Sequence, residues 1–154
     1  MPRRILTLLM TAVLLVCLVS CGTKEAAPGE IDVAAIAETL LNEASFTDDL
    51  AEADADTIAM LYGIEGALTQ AVYIGSGATP EEIALFTFAT DAEAEAGFAL
   101  AQMRLADKRQ EFTDYNAWEM PKIDDAVVKQ YGKTVVLCVS ADGQAKAILE
   151  EKLG

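Results

Sequence analysis

The amino-acid sequence predicts an α/β (α+β) domain. Its expected core is a four-stranded, mainly antiparallel sheet made of two hairpins, with helices packed mainly on one face, in the order α-α-β-β-α-β-β-α. Three observations carry this expectation. Two pairs of apolar, β-rich runs are each joined by a short connection. Helix-periodic segments with capping residues flank and separate those pairs. A chain of 154 residues, 53% of them hydrophobic, has room for one ordinary domain with a real core.

Val33, Ile36, Leu40 and Ala44 recur at helical spacing behind Asp32, which predicts a capped amphipathic helix. Residues 46–56, FTDDLAEADAD, read as an acidic connection. A short second helix turns Ile58, Leu61 and Tyr62 inward and stops at Gly63. Residues 68–77, LTQAVYIGSG, read as a strand entering a glycine-rich turn, and 83–89, IALFTFA, as its partner. Between them Thr79-Pro80-Glu81-Glu82 has the composition of a helix cap, which predicts a single helical turn with Glu82 in a capping role.

Thr90-Asp91-Ala92-Glu93 repeats that signature before a long helix reaching about Phe112, with Ala94, Phe98, Ala101 and Leu105 as its inner stripe. A loop from Asp114 to Pro121 carries Trp118. The runs 126–131 and 134–140 flank Gly132-Lys133, which predicts a tight hairpin pairing Tyr131 with Thr134, Lys129 with Val136 and Val127 with Cys138. On this register Val128, Val135, Leu137 and Val139 face the core, and Cys138 is half-exposed or under a loop. Asp142-Gly143 turns the chain into a last helix with Ala145, Ile148 and Leu149 inward.

The first residues have a separate logic. Arg3 and Arg4 precede an uncharged apolar run, Ile5 to Val19, shorter than the ~20 residues that cross a bilayer. A basic head, an apolar middle and the small Ser20 describe an export signal over 1–20. Leu18-Val19-Ser20-Cys21 matches the bacterial lipobox, so the expectation is cleavage before Cys21 and a diacylglyceryl group on its sulfur. Two acyl chains at ~0.8 kcal/mol per buried CH₂ anchor stably where one would be marginal. Residues 21–30 form a short lipidated tether before the single domain at 31–154, with Gly22 to Glu30 spanning at most ~30 Å extended. The expected location is the outer face of the cytoplasmic membrane.

Charge and composition exclude some functions. After residues 1–20 are removed, 9 basic residues stand against 25 acidic, a net of −16. Such a surface repels nucleic acid and anionic lipid heads, so the only membrane attachment expected is through Cys21. The absence of histidine removes the usual general base and the commonest transition-metal ligand. No catalytic residue, cofactor or metal is assigned. Cys17 leaves with the leader and Cys21 is acylated, which leaves Cys138 as a lone thiol in a compartment that permits disulfides.

The remaining candidates are read beside plainer roles. Gly75-Ser76-Gly77 suits a strand-end turn better than a nucleophile, since no triad can form without histidine. Asp48, Asp49, Glu52, Asp54 and Asp56 lack the glycine and closing glutamate of a calcium loop and read as a solvated connection. Arg104, Lys108 and Arg109 are the densest basic group and offer an anion-binding site, against ion pairing with Asp107, Glu111 or other acids. Tyr73, Tyr115 and Trp118 offer a binding surface, against a core role for Trp118.

LYGI (61–64), VYIGSGATPEEIALF (72–86), a helix ending near Arg109, Tyr115, and VVLCVS (135–140) before an acidic turn, all behind a lipobox, are a further ordered set. Over about residues 45–153 the chain resembles domain-of-unknown-function family 4358, small lipoproteins chiefly of clostridia and their relatives. The resemblance implies a Gram-positive envelope lipoprotein and carries no activity or site residue. The leading functional reading is a non-catalytic binding or interaction module for an envelope protein or a small ligand. The competing reading is a small hydrolase or transferase using carboxylates, Ser76 or Cys138.

Overall fold

The computed structural model describes residues 31–154, so the leader, Leu18, Val19, Ser20 and Cys21, and the tether lie outside the described residues. The α+β class holds, with a five-stranded sheet in place of the expected four. Helix α1 spans Val33–Glu43, strand β1 Ala51–Glu52, α2 Ala55–Tyr62, β2 Thr69–Ile74, β3 Glu82–Thr87 and α3 Asp91–Tyr115. A 3-10 turn at Ala117–Glu119 leads into α4, Met120–Asp124, then β4, Val127–Tyr131, β5, Thr134–Val139, and α5, Gln144–Leu153. The strand order is β1-β2-β3-β5-β4, antiparallel throughout.

The extra strand corrects the reading of 46–56 as a plain connection. Ala51 and Glu52 pair with Ile74 and Tyr73, and two residues are too few to show any period. The helical turn expected at 79–82 is also absent. Glu81 and Glu82 are both buried, and Glu82 opens β3 opposite Ile74 and Val139. Ion pairs with Lys122, Arg104 and Lys108 claim both carboxylates, which a helix cap would instead use locally.

Helices cover both faces of the sheet, a second correction. On one face Val72, Ala84, Phe86, Val135, Leu137 and Val139 pack against α2, α3 and α4 through Ile58, Tyr62, Ala94, Ala101, Phe112 and Ile123. On the other, Ala71, Ile83, Leu85, Val136 and Cys138 meet Val33, Ile36, Ala37 and Leu40 of α1 and Ala145 and Leu149 of α5. Every residue of β3 and β5 is buried, because these central strands have helices on both sides. Cys138 is therefore 1% exposed, inside the second core, rather than half-exposed.

Local signals place the helices well. Asp32 accepts from the Ala34 and Ala35 N–H groups at the start of α1. At α3 the Glu93 N–H donates to Thr90 Oγ1 at 3.2 Å, and the Thr90 N–H donates to the Glu93 carboxylate at 2.9 Å. The 132–133 hairpin has the expected register, with Gly132 at φ 57°, a left-handed conformation that glycine adopts freely. Gly97 in mid-helix has a packing reason: a Cβ there would come within 2.4 Å of the Phe88 ring, so its absence lets α3 lie close to the sheet.

Candidate functional site

The fold brings several polar and charged side chains, distant in sequence, into two clusters. The first centres on Glu82, which β3 aims toward α2 and α3. Arg104 donates to both of its oxygens, from Nη2 at 2.8 Å and from Nε at 3.2 Å. Lys108 Nζ lies 2.7 Å from Oε2, and the Tyr62 hydroxyl donates to Oε1. The guanidinium also lies 5.9 Å from the centre of the Tyr62 ring. The arginine and lysine are one turn apart, so a single helix face delivers both cations to one carboxylate.

Burial alone would push the Glu82 carboxyl up, but Lys108 and Arg104 outweigh it and hold the group below the usual carboxylate range. Burial lowers Lys108 despite the attraction of Glu82, with Arg104 acting in the same direction as burial. Tyr62 is pushed well up by burial and by the neighbouring carboxylate, so it stays a neutral donor. One acid and two bases leave a local excess of positive charge in the interior.

The second cluster joins three segments distant in sequence. Glu81 accepts from the Thr47 and Asp48 N–H groups at 2.8 Å each and from the Thr47 hydroxyl at 2.8 Å. Lys122 of α4 lies 2.9 Å from Glu81 Oε1 and 2.7 Å from Glu119 Oε2, and donates to Thr47 Oγ1 at 2.8 Å. Burial raises the Glu81 carboxyl, yet the hydrogen bonds from Lys122, Asp48 and Thr47 bring it below its ordinary value. Beside it Asp48 accepts from the Ser76 N–H at 2.8 Å and the Ser76 hydroxyl at 2.7 Å, which lowers its carboxyl. Ser76 thus fastens the β2–β3 turn to the 46–50 loop.

The remaining sequence candidates fall in separate places. Arg109 parts from Arg104 and Lys108 and pairs at the surface with Asp124 at 2.5 Å. Burial pushes the Cys138 thiol up to about 12, with Glu82 adding to the effect. Tyr73 lies on β2 facing the α1 side, its hydroxyl raised by partial burial and by Glu52 and Glu38. Tyr73 and Trp118 are therefore not brought together.

Met60, Leu68 and Met103 are exposed singly, whereas the far end of α3 exposes two aromatic side chains close together in sequence. Trp118, in the 3-10 turn, is 91% exposed, and Tyr115, in the last turn of α3, is 66% exposed. Tyr115 is held by an edge-on contact with buried Phe112, ring centres 5.8 Å apart. The Thr113 hydroxyl lies 3.7 Å from the Met120 sulfur, joining the last turns of α3 to the start of α4. Glu111 and Asp114 are exposed on the same stretch of helix. This end of the helix thus carries two exposed aromatic side chains within a few residues of exposed carboxylates.

Sequence reasoning missed the convergence of Thr47, Glu81 and Lys122, which nothing in local spacing announces. A usable signal existed for Glu82. A carboxylate at the head of an uninterrupted apolar run must find cations if the run is buried on both faces.

A family model described as Domain of unknown function (DUF4358) matches residues 42–140. That span includes both carboxylate clusters and the aromatic tip. No curated protein and no solved structure matches the chain.

Proposed function

This chain belongs to the DUF4358 family, and we propose that it is a non-catalytic binding module of the cell envelope. In this reading a diacylglyceryl group on Cys21 anchors the protein at the outer face of the cytoplasmic membrane after export. The domain then presents Trp118 and Tyr115 to a partner protein. The observation that carries the reading is the exposure of these two aromatics, 91% and 66%, on a packed helical end. Large aromatic side chains ordered at a surface offer much contact area at low entropic cost, and for that reason they dominate binding energetics. The lipobox supports the anchor, and among the described residues no helix is long and apolar enough to cross a membrane.

Cross-linking tests this proposal. A photoreactive residue at position 118 of the full chain, expressed in its native membrane, is compared with one at Glu38, exposed on α1 across the sheet. The expected result is a discrete protein adduct specific to position 118. Identical products from both positions would overturn the aromatic end as the recognition surface. Loss of membrane attachment in Cys21→Ser is expected in parallel, and retention would overturn the anchor.

A further inference from the structure

We propose that the aromatic end of α3 receives a cationic segment, a Lys- or Arg-rich stretch of the partner protein. The inference rests on that end being the recognition surface, and it adds the chemistry of the occupant. Three observations converge.

The first is an uncompensated helix end. The carbonyl end of a helix carries a partial negative charge and favours cations within its last turn. Helix α3, 25 residues long, has no basic residue in that turn and has Asp114 there. Glu111 stands one turn earlier, and Arg109, the nearest cation along the helix, is committed to Asp124 and to the Ile123 carbonyl. The domain alone leaves this end electrostatically unfavourable.

The second is the pair of rings beside it. Lys and Arg heads bind over the face of Trp or Tyr, while their methylene stems cover apolar surface. Trp118 and Tyr115 supply both functions within a few residues of the exposed carboxylates.

The third is the field of the whole domain. Residues 31–154 hold 8 basic and 23 acidic residues, 8 − 23 = −15. That potential steers cations inward and repels anionic membranes, nucleic acid and a second copy of the chain. Among the described residues Arg104, Lys108 and Lys122 are engaged with buried carboxylates and do not offset it at the surface.

Dye-labelled decalysine, titrated by fluorescence anisotropy against the full lipidated protein in detergent, is the probe. Binding is expected to saturate, to weaken steeply as salt is raised, and to be roughly tenfold weaker in Trp118→Ala. Asp114→Lys is expected to weaken binding while raising the urea midpoint of unfolding, because it relieves the helix end. Glu38→Lys, with the same change of charge on α1, should keep most of the affinity. Equal losses in Asp114→Lys and Glu38→Lys would reduce the effect to bulk charge and overturn the proposal. So would binding of phosphatidylglycerol vesicles in place of decalysine. If decalysine fails while cross-linking at position 118 still captures a partner, the cationic occupant falls and the recognition surface stands. If cross-linking at 118 matches Glu38, the surface itself falls.

Discussion

On one face of the sheet, α1 and α5 close over Ala71, Ile83, Leu85, Val136 and Cys138 with mainly apolar side chains and no buried ion pair among the described residues. On the other face, α2 and α3 close over an apolar cluster and also over Glu82, Arg104 and Lys108. Met60, Met103, Tyr115 and Trp118, all more than half exposed, lie on that second side, on α2, α3 and the turn after α3. The contrast separates two jobs. The apolar face needs only volume to be filled, and it tolerates isosteric change. The ionic face fixes the angle and register of α3 through directional bonds, and α3 in turn sets where its aromatic tip points.

Removing the hub of the ionic face has the largest expected effect. Glu82→Ala strands a buried lysine and a partly buried arginine and should cost about 3–5 kcal/mol in urea unfolding. Replacing Glu82, Arg104 and Lys108 together by apolar residues of similar volume should recover most of that loss. A failure to recover would mean that the bonds stabilise the domain as well as orienting α3. On the apolar face, Leu40→Ala should cost about 3 kcal/mol through its cavity. Cys138 should resist thiol reagents until the domain unfolds, since burial holds it in the neutral form at about 12.

Acid should act through the carboxylate clusters. Glu81 and Glu82 are both held below the ordinary carboxylate value in the folded state. Their stabilisation is present above the unfolded value of about 4.3 and is lost as pH falls through the folded values. Lys122→Met, which removes a partner of Glu81, should cost about 1–3 kcal/mol at neutral pH and flatten the acid limb of the stability profile. The smallest effect belongs to the aromatic tip. Trp118→Ala should change stability by no more than about 0.5 kcal/mol.

The legible parts of this fold were those with a local period or a local cap. Asp32, Thr90 with Glu93, and Gly132 each act within a few residues, so α1, α3 and the β4–β5 register could be read directly. Features set by distant partners could not. Thr79-Pro80-Glu81-Glu82 matches a capping signature, but Lys122 and Arg104, 41 and 22 residues away from Glu81 and Glu82 respectively, decide where those carboxylates go. The second helical layer did leave a trace. In VVLCVS residues of both parities are apolar, which marks a strand covered on both faces. Reading one parity as the core face left Cys138 too exposed. At the candidate site, the sequence groups Tyr73, Tyr115 and Trp118 by type and sets a core role for Trp118 beside a surface one; the structure puts Tyr73 on the other face of the sheet and turns Tyr115 and Trp118 outward.

The central claim is that the domain completes its interior without its only tryptophan, leaving that ring free for a partner. Acrylamide quenching of Trp118 fluorescence in the native protein and in urea tests it directly. The account predicts a red-shifted native emission and a quenching constant close to that of the unfolded chain. A blue-shifted native emission with strong shielding would place Trp118 inside the structure and contradict it.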